Sequence, residues 1–372
     1  MTHHVSRRRL LATAAGGLGA SLLTSAFPSS GARADTSPFA SPLAEEKLVV
    51  ACAHVGPISD NGWDMTHHLG MQAVRKAFPR AKALEVENVP FSAAGTRVFR
   101  QLADQGANVI FATSEYADLL YEVVEKHPEI AFLQCNGAKH LENLTGFYVE
   151  HWNPSFVIGV AAGLLTKSNK LGYVGSFPVP AVYCGSNAFH LGARSVNPNV
   201  KTQAVMINSW FDPQAANQAG SALINDGCDV LFGIMNEPAY LVVAEQRKAW
   251  AAMWNADMRR YGPNAYLSSV MLDWTKFYVD QVAARIDGKW HGKTILLPMG
   301  AGTDRDAWGG GVPKEIAQKA DDVRSQIVAG KNYFIGPIKD SAGAVRIRDR
   351  EMLDGPALYK WDWSVEGVSG VG

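Results

Sequence analysis

Two tryptophans occupy matching places in this chain: Trp63 in "SDNGWD" and Trp210 in "NSWFDP", each just after an apolar run of strand-like length. An indole plane suits stacking on a flat ring, and stacking one base on one aromatic is worth about 1–3 kcal/mol. Two such planes, one on each face of a ring, would supply a large part of the about 8 kcal/mol that micromolar binding requires. The alternative for each is a core or rim tryptophan. Other residues with ligand chemistry also follow apolar runs: Asn61 and Asp64 beside Trp63, Ser114 and Tyr116 after "NVIFAT", and Asn136 after "AFLQC". Further along come Tyr183 after "KLGYVGS", Phe211 beside Trp210, Asn236 and Glu237 after "DVLFGI", and Asn255 after "AAMW". Aromatic and amide groups together suit a flat ligand with polar edges.

Signatures of catalysis are missing. No G-x-S-x-G elbow, H-E-x-x-H, P-loop or strand-bound G-x-G-x-x-G occurs. His67 and His68 are adjacent, and neighbours on a helix diverge by about 100°, so they do not share a metal. The cysteines Cys52, Cys135, Cys184 and Cys228 have no CxxC or Cys/His ligand spacing. They read as buried thiols, with one disulfide, such as Cys184 to Cys228, left open because sequence alone does not pair them. Neither an enzyme, nor a cofactor, nor a metal is expected. The 35 basic and 35 acidic residues balance, and no basic stripe with interleaved aromatics appears, so nucleic acid is not the expected ligand.

The elements that must position these residues alternate. From Lys47, "KLVVACAHV", "ALEVENV", "NVIFAT" and "AFLQC" are separated by helical patterns at 64–78, 93–106 and 116–127. The series restarts after "HWNPS", with a helix at 156–166, "KLGYVGS", a helix around 187–195, "KTQAVMI", a helix at 213–227, "DVLFGI", a helix from Pro238 and an apolar run at 250–254. Such alternation predicts an α/β fold with two doubly wound, Rossmann-like lobes. In these sheets ligands gather beyond the carboxyl ends of the strands, where the candidates fall. A length of 372 residues with 47% hydrophobic content allows two such cores.

Residues 1–34 differ from the rest. "SRRRLL", an uncharged apolar run to Phe27 and Ala32-Arg33-Ala34 read as an export signal of the twin-arginine type, the alternative being an ordinary secretory signal. Its removal takes Arg7, Arg8, Arg9 and Arg33, leaving 31 basic against 35 acidic residues, net −4. No cysteine lies near the cleavage point to carry a lipid anchor, so a soluble exported protein is expected.

Three segments carry a resemblance: "GPISDNGWDMTHHLGMQAV", "PSFVIGVAAGLLTKSNKLGYVGS" and "FIGPIKDSAGAVRI". In order and spacing they resemble the basic membrane protein family of ABC-transporter substrate-binding proteins, of the purine nucleoside receptor A type. The resemblance implies the type I periplasmic binding protein fold, with a three-stranded hinge and closure around the ligand. It places the first lobe at 47–151 plus about 266–300, the second at 152–265 plus about 301–335, and a tail at 336–372 packing on the lobes. The alternating aromatics of "YKWDW" in that tail suit a short strand, a cover over one lobe or a loosely packed end.

The family motif Asp-x-Ser-Phe-Asn falls on Asp60, Gly62, Trp63 and Asp64. By this match Trp63 is a stacking plate and Asp64 reads ring N–H groups, because an ionised aspartate only accepts. Asn136 stands for the family's acid after its fourth strand, and Trp210 or Phe211 for its second aromatic. The acid and lysine that hold sugar hydroxyls are replaced by Asn255 and Leu272. The resemblance therefore implies a purine-type base rather than a nucleoside, captured by a periplasmic monomer that serves an ABC permease in the inner membrane. A nucleoside binder is the rival within the class, and a periplasmic sensor subunit or an enzyme on a similar fold is the rival outside it.

Overall fold

The computed structural model describes residues 37–137 and 139–372, so the expected export signal lies outside the described residues. In the first lobe β1 (Val49–Ala53), α1 (Trp63–Ala77), β2 (Lys82–Val86), α2 (Ala93–Asp104), β3 (Val109–Ala112), α3 (Asp118–Lys126), β4 (Ala131–Cys135) and β5 (Leu144–Val149) follow one another. The second lobe holds α4 (Trp152–Leu165), β6 (Lys170–Gly175), α5 (Pro180–Arg194), β7 (Lys201–Met206), α6 (Pro213–Asn225), β8 (Val230–Gly233), α7 (Ala239–Arg247), β9 (Trp250–Asn255) and β10 (Tyr266–Leu272). Then α8 (Thr275–Ile286) packs on α1 and β11 (Thr294–Leu297) joins β5, while β12 (Thr303–Arg305) pairs with β10 and α9 (Lys314–Val328) packs on α4. The tail adds β13 (Ile338–Lys339), β14 (Val345–Ile347), α10 (Gly355–Tyr359) and β15 (Val368–Ser369).

The first sheet has the order β11-β5-β4-β3-β1-β2 and is parallel throughout. The second has the order β12-β10-β9-β8-β6-β7-β15, with only β12 antiparallel. Strands β3, β4 and β8 are buried along their whole length, which is why their sequences are apolar runs rather than alternations, with the buried Gln134 the exception in β4. The α/β fold with two Rossmann-like lobes is the one expected. The chain passes between the lobes after β5, after β10 and after β11.

Three details differ from the sequence reading. Tyr266–Leu272 belongs to the second sheet, its Met271 beside Asn255, so the return to the first lobe comes after Leu272 and not at 266. Strand β5 lies where the sequence reading placed no strand, because only Glu150 and His151 separate its apolar run from the next helix. Helix α5 begins at Pro180, not near Asn187, because proline at its first position needs no N–H partner.

The Gly/Ala-rich α4 is explained by its partner. A Cβ at Gly159 would lie 2.1 Å from the Phe189 carbonyl oxygen, and one at Gly192 would lie 2.0 Å from that of Phe156. The two helix backbones touch, so only glycine fits at the crossing. In the tail, "YKWDW" is a cover and not a strand: Tyr359 ends α10, Trp361 is buried and Trp363 half-buried. All four cysteines are free and buried.

Candidate functional site

The loop from β1 to α1 is held by two aspartates. Asp60 accepts the N–H groups of Gly62 at 2.8 Å, Asp64 at 3.0 Å and Met65 at 3.1 Å, satisfying donors that open α1. This leaves Asn61 in the left-handed region, at φ 57°, on the exposed tip. Asp64 is only 2% exposed; it accepts Gly56 N–H at 2.8 Å and the Thr113 hydroxyl at 3.0 Å. Its carboxylate is thus committed to the loop and the end of β3. That corrects the expectation that Asp64 reads ligand N–H groups.

Trp63 is half-buried at the first turn of α1, and its indole N–H donates to the Thr113 carbonyl at 2.7 Å. His67 and Trp274 meet it edge-on at 5.0 and 6.1 Å, and Tyr148 tilts toward it at 6.4 Å. Its ring plane is therefore set by protein before any ligand arrives.

Behind Asp64 lies a charge network that drew no notice in the sequence. His54, fully buried, reaches Glu85 at 2.8 Å and Asp64 at 3.4 Å, and Glu85 also takes His68 at 2.8 Å and Arg75 at 2.5 Å. Burial opposes charge on His54, but the Cys52 sulfur and the two carboxylates outweigh it and raise its pKa to about 12. Burial likewise opposes the Glu85 charge, and the bonds from His54, His68 and Arg75 outweigh it, lowering its pKa to about 2. The signal available beforehand was an acid in the middle of a strand and a histidine directly after one.

The carboxyl edge of the second sheet carries the remaining polar groups. Asn255, fully buried and in the left-handed region at φ 71°, donates its amide to Asn236 Oδ1 at 2.8 Å. Its own Oδ1 has no partner among the described residues, nor do Ser176 Oγ and Glu237 Oε1. Asn255 ends β9, and Ser176 and Glu237 come after β6 and β8, its neighbours along the sheet. Glu237 uses its other oxygen for the Ala239 N–H at 2.6 Å, and burial, opposed by that bond and assisted by Asp212, raises its pKa to about 7. Trp210 is 39% exposed and Phe211 57%, and the Trp210 ring lies 5.8 Å from that of Phe177.

The two edges meet. A Cβ at Gly62 would lie 3.1 Å from Asn255 Nδ2 and 3.3 Å from Asn236 Cα, and Arg260 donates to Asn61 Oδ1 across the lobes at 2.8 Å. Trp63, Asn61, Asn236 and Asn255 are thus brought together. Glu237 and Trp210 stand on the same edge, the Trp210 carbonyl accepting the Asn236 N–H at 3.0 Å. Ser176 and Arg260 were missed; Ser176 directly follows β6, where the after-strand rule reaches it.

Other candidates lie elsewhere. Tyr116 is a core residue, its hydroxyl on the Val89 carbonyl at 2.9 Å and its ring between Phe91 and Phe99. Tyr183 sits against the chain end, where a Cβ on Gly372 would lie 2.1 Å from its hydroxyl. Ser114 is half-buried beyond β3, and Asn136, at φ 62°, ends β4 and gives its carbonyl to the Tyr359 hydroxyl at 2.5 Å. A cavity of about 560 Å³ lies at the lobe crossings, between Thr66, Leu272, Asp273 and Thr303 rather than between the tryptophans. Among the described residues no acid, histidine and cysteine cluster has the arrangement to hold a metal, and no helix is long and apolar enough to cross a membrane.

Comparisons with known proteins agree on the class of protein, while the relatives' names differ in ligand. Residues 47–303 match the family model described as ABC transporter substrate-binding protein, PnrA-like. A purine-binding protein of Brucella abortus (strain 2308) is 32% identical over 328 residues, covering 87% of this chain and 94% of the relative. A putative ABC transporter glucose-binding protein of Haloferax volcanii is 34% identical over 289 residues, covering 77% and 74%. The solved structure of an ABC transporter solute-binding protein from Aeropyrum pernix K1 superposes with a TM-score of 0.65 at 13% identity, over 78% of this chain and 94% of that one, which is a likeness of fold.

Proposed function

The chain belongs to the family of PnrA-like ABC transporter substrate-binding proteins, and on that premise we propose that it captures a purine-type base between its lobes and delivers it to an ABC permease. The protein is exported by the signal at 1–34 and works in the periplasm as a monomer. Hinge closure around the ligand is the motion expected of two such lobes. The observation that carries the reading is the pairing of Trp63, a half-buried plate, with an opposing edge whose Asn255 Oδ1 is buried and unpartnered. A buried polar atom left unpaired costs about 1–3 kcal/mol, a cost that a ligand N–H bound there removes. The purine-binding relative from Brucella abortus supports the choice of ring.

A free base is favoured over its riboside by the residues beside Asn255. Met271 is its neighbour in the sheet and Leu272 comes next, buried, so no charged partner for sugar hydroxyls stands at that point. The free oxygen of Glu237 favours the second reading, a nucleoside, since a carboxyl can hold a hydroxyl there. Calorimetric titration of adenine, guanine, hypoxanthine and xanthine beside their ribosides separates the two. The base is expected to bind at least as tightly as its riboside; a clear preference for ribosides would turn the assignment to the nucleoside. If none of the eight compounds binds protein freed of ligand, the purine reading fails.

The stacking role has its own test. Trp63→Ala and Trp210→Ala are each expected to weaken binding of the preferred purine by about 1–3 kcal/mol, with Trp63→Phe milder because a π face survives. Unchanged affinity in both alanine variants would return the tryptophans to plain packing roles.

A further inference from the structure

The tail touches both lobes within a few residues: α10 packs on α5 of the second lobe, while the Tyr359 side chain reaches into the first. Its α10 begins at the lobe crossings, where a Cβ on Gly355 would lie 3.2 Å from Leu296 Cδ1 and 3.5 Å from Glu150 Oε1. At the end of α10, the Tyr359 hydroxyl donates to the Asn136 carbonyl at the carboxyl end of β4, and its ring tilts on Tyr148 at 5.5 Å. Both contacts belong to the first lobe. Four residues on, the Trp363 carbonyl accepts the Asn187 amide at 2.7 Å, and Val365 N–H donates to Asn187 Oδ1 at 3.0 Å. Asn187 lies on α5 of the second lobe, and β15 then pairs with β7 at the edge of that sheet.

We propose that residues 355–372 form a strap between the lobes, in which Tyr359 is a positioning residue that holds Asn136 in place and limits how far the cleft opens. The inference rests on the two-lobe binding reading for its motion, though not on which ligand is bound. Its physical basis is chain length. The four steps from Tyr359 to Trp363 span at most about 14 Å between Cα atoms when fully extended, and the Tyr359 side chain adds only its own fixed reach to the hydroxyl, so the separation of the two anchor points stays bounded while both contacts hold. Burial fixes the second anchor, since Val365, Val368 and Val371 are all buried. The first anchor rests on one hydroxyl and one ring face, which makes it the end that yields. Asn136 has a left-handed backbone at φ 62°, a conformation that most residues adopt at a cost, and the Tyr359 bond to its carbonyl helps to keep it there.

Small-angle X-ray scattering of the ligand-free protein, compared with Tyr359→Phe and Tyr359→Ala, tests the strap without reference to any ligand. The expected result is a larger radius of gyration in the alanine variant, with the phenylalanine variant between it and the parent and the melting temperature of each close to the parent's. If the alanine variant does not fold, the phenylalanine variant alone decides. An unchanged radius of gyration in the variants that fold overturns the proposal. In a second arm, adenine release followed by tryptophan fluorescence is expected to be up to about tenfold faster in Tyr359→Phe, the loss of one hydrogen bond. Failure of adenine to bind at all would count against the purine reading and leave the scattering result to judge the strap.

Discussion

Replacing Glu85 by alanine is expected to cost the protein about 3–5 kcal/mol of stability, because removing one partner of a buried ion pair leaves the other charge uncompensated. His54 is that other charge: it is fully buried, and Glu85 lies 2.8 Å from its ring. Asp64 remains, but at 3.4 Å and already accepting from Gly56 and Thr113. Glu85→Gln keeps the volume and one acceptor and should lose less. Urea unfolding with linear extrapolation measures both, and a loss below about 1 kcal/mol in the alanine variant would mean that the network is energetically idle. The pH dependence has a defined sign. Glu85, with its folded value lowered to about 2, stabilises the fold above its ordinary value of 4.5, and that share is lost as pH falls from there toward 2. His54, with its value raised to about 12, contributes fully below its ordinary 6.5, and its share is lost as pH rises toward 12. Acid unfolding between pH 4.5 and 2 should therefore be less steep in Glu85→Gln than in the parent.

Between pH 4.5 and 7 the parent protein is expected to lose stability relative to Glu237→Gln. Burial raises the Glu237 pKa from 4.5 to about 7, so the folded state favours the protonated form. The contribution is present in full below 4.5 and is lost as pH rises through about 7. A change of that size corresponds to about 3 kcal/mol. Glutamine retains an acceptor for the Ala239 N–H and has no proton to lose, so its melting temperature should be flatter across the window. Parallel curves for the two proteins would sink the assignment of a buried neutral carboxyl. The consequence reaches the proposed ligand edge, because a protonated Glu237 both donates and accepts, whereas its carboxylate only accepts.

The two lobes were legible because alternation of apolar runs and helical patterns is a local property, and each strand and helix carries its own period. The rule that ligands gather beyond strand ends found Trp63, Asn236 and Asn255, which the structure brings to one place. The same rule also delivered Tyr116, and there it failed. Chain position puts a residue at a strand end, but only the neighbours Phe91, Phe99 and Val89 decide that its ring is core.

Asp64 follows the same logic more sharply. Its type and place suited a ligand contact, and its partners Gly56, Thr113 and His54 turned it into a support for the loop. The sequence by itself determined the fold class, the small residues that let α4 and α5 touch, and the two aromatic residues at matching strand ends. The tertiary structure alone decided what pairs with what: His54 with Glu85, 31 positions away, Arg260 with Asn61, 199 away, and Tyr359 with Asn136, 223 away. Periodicity reports which face of an element is apolar, and it carries no information about which distant side chain arrives on that face. Burial and hydrogen bonding, which set the charge of His54 and the free oxygen of Asn255, exist only once the two sheets and the tail have closed on one another.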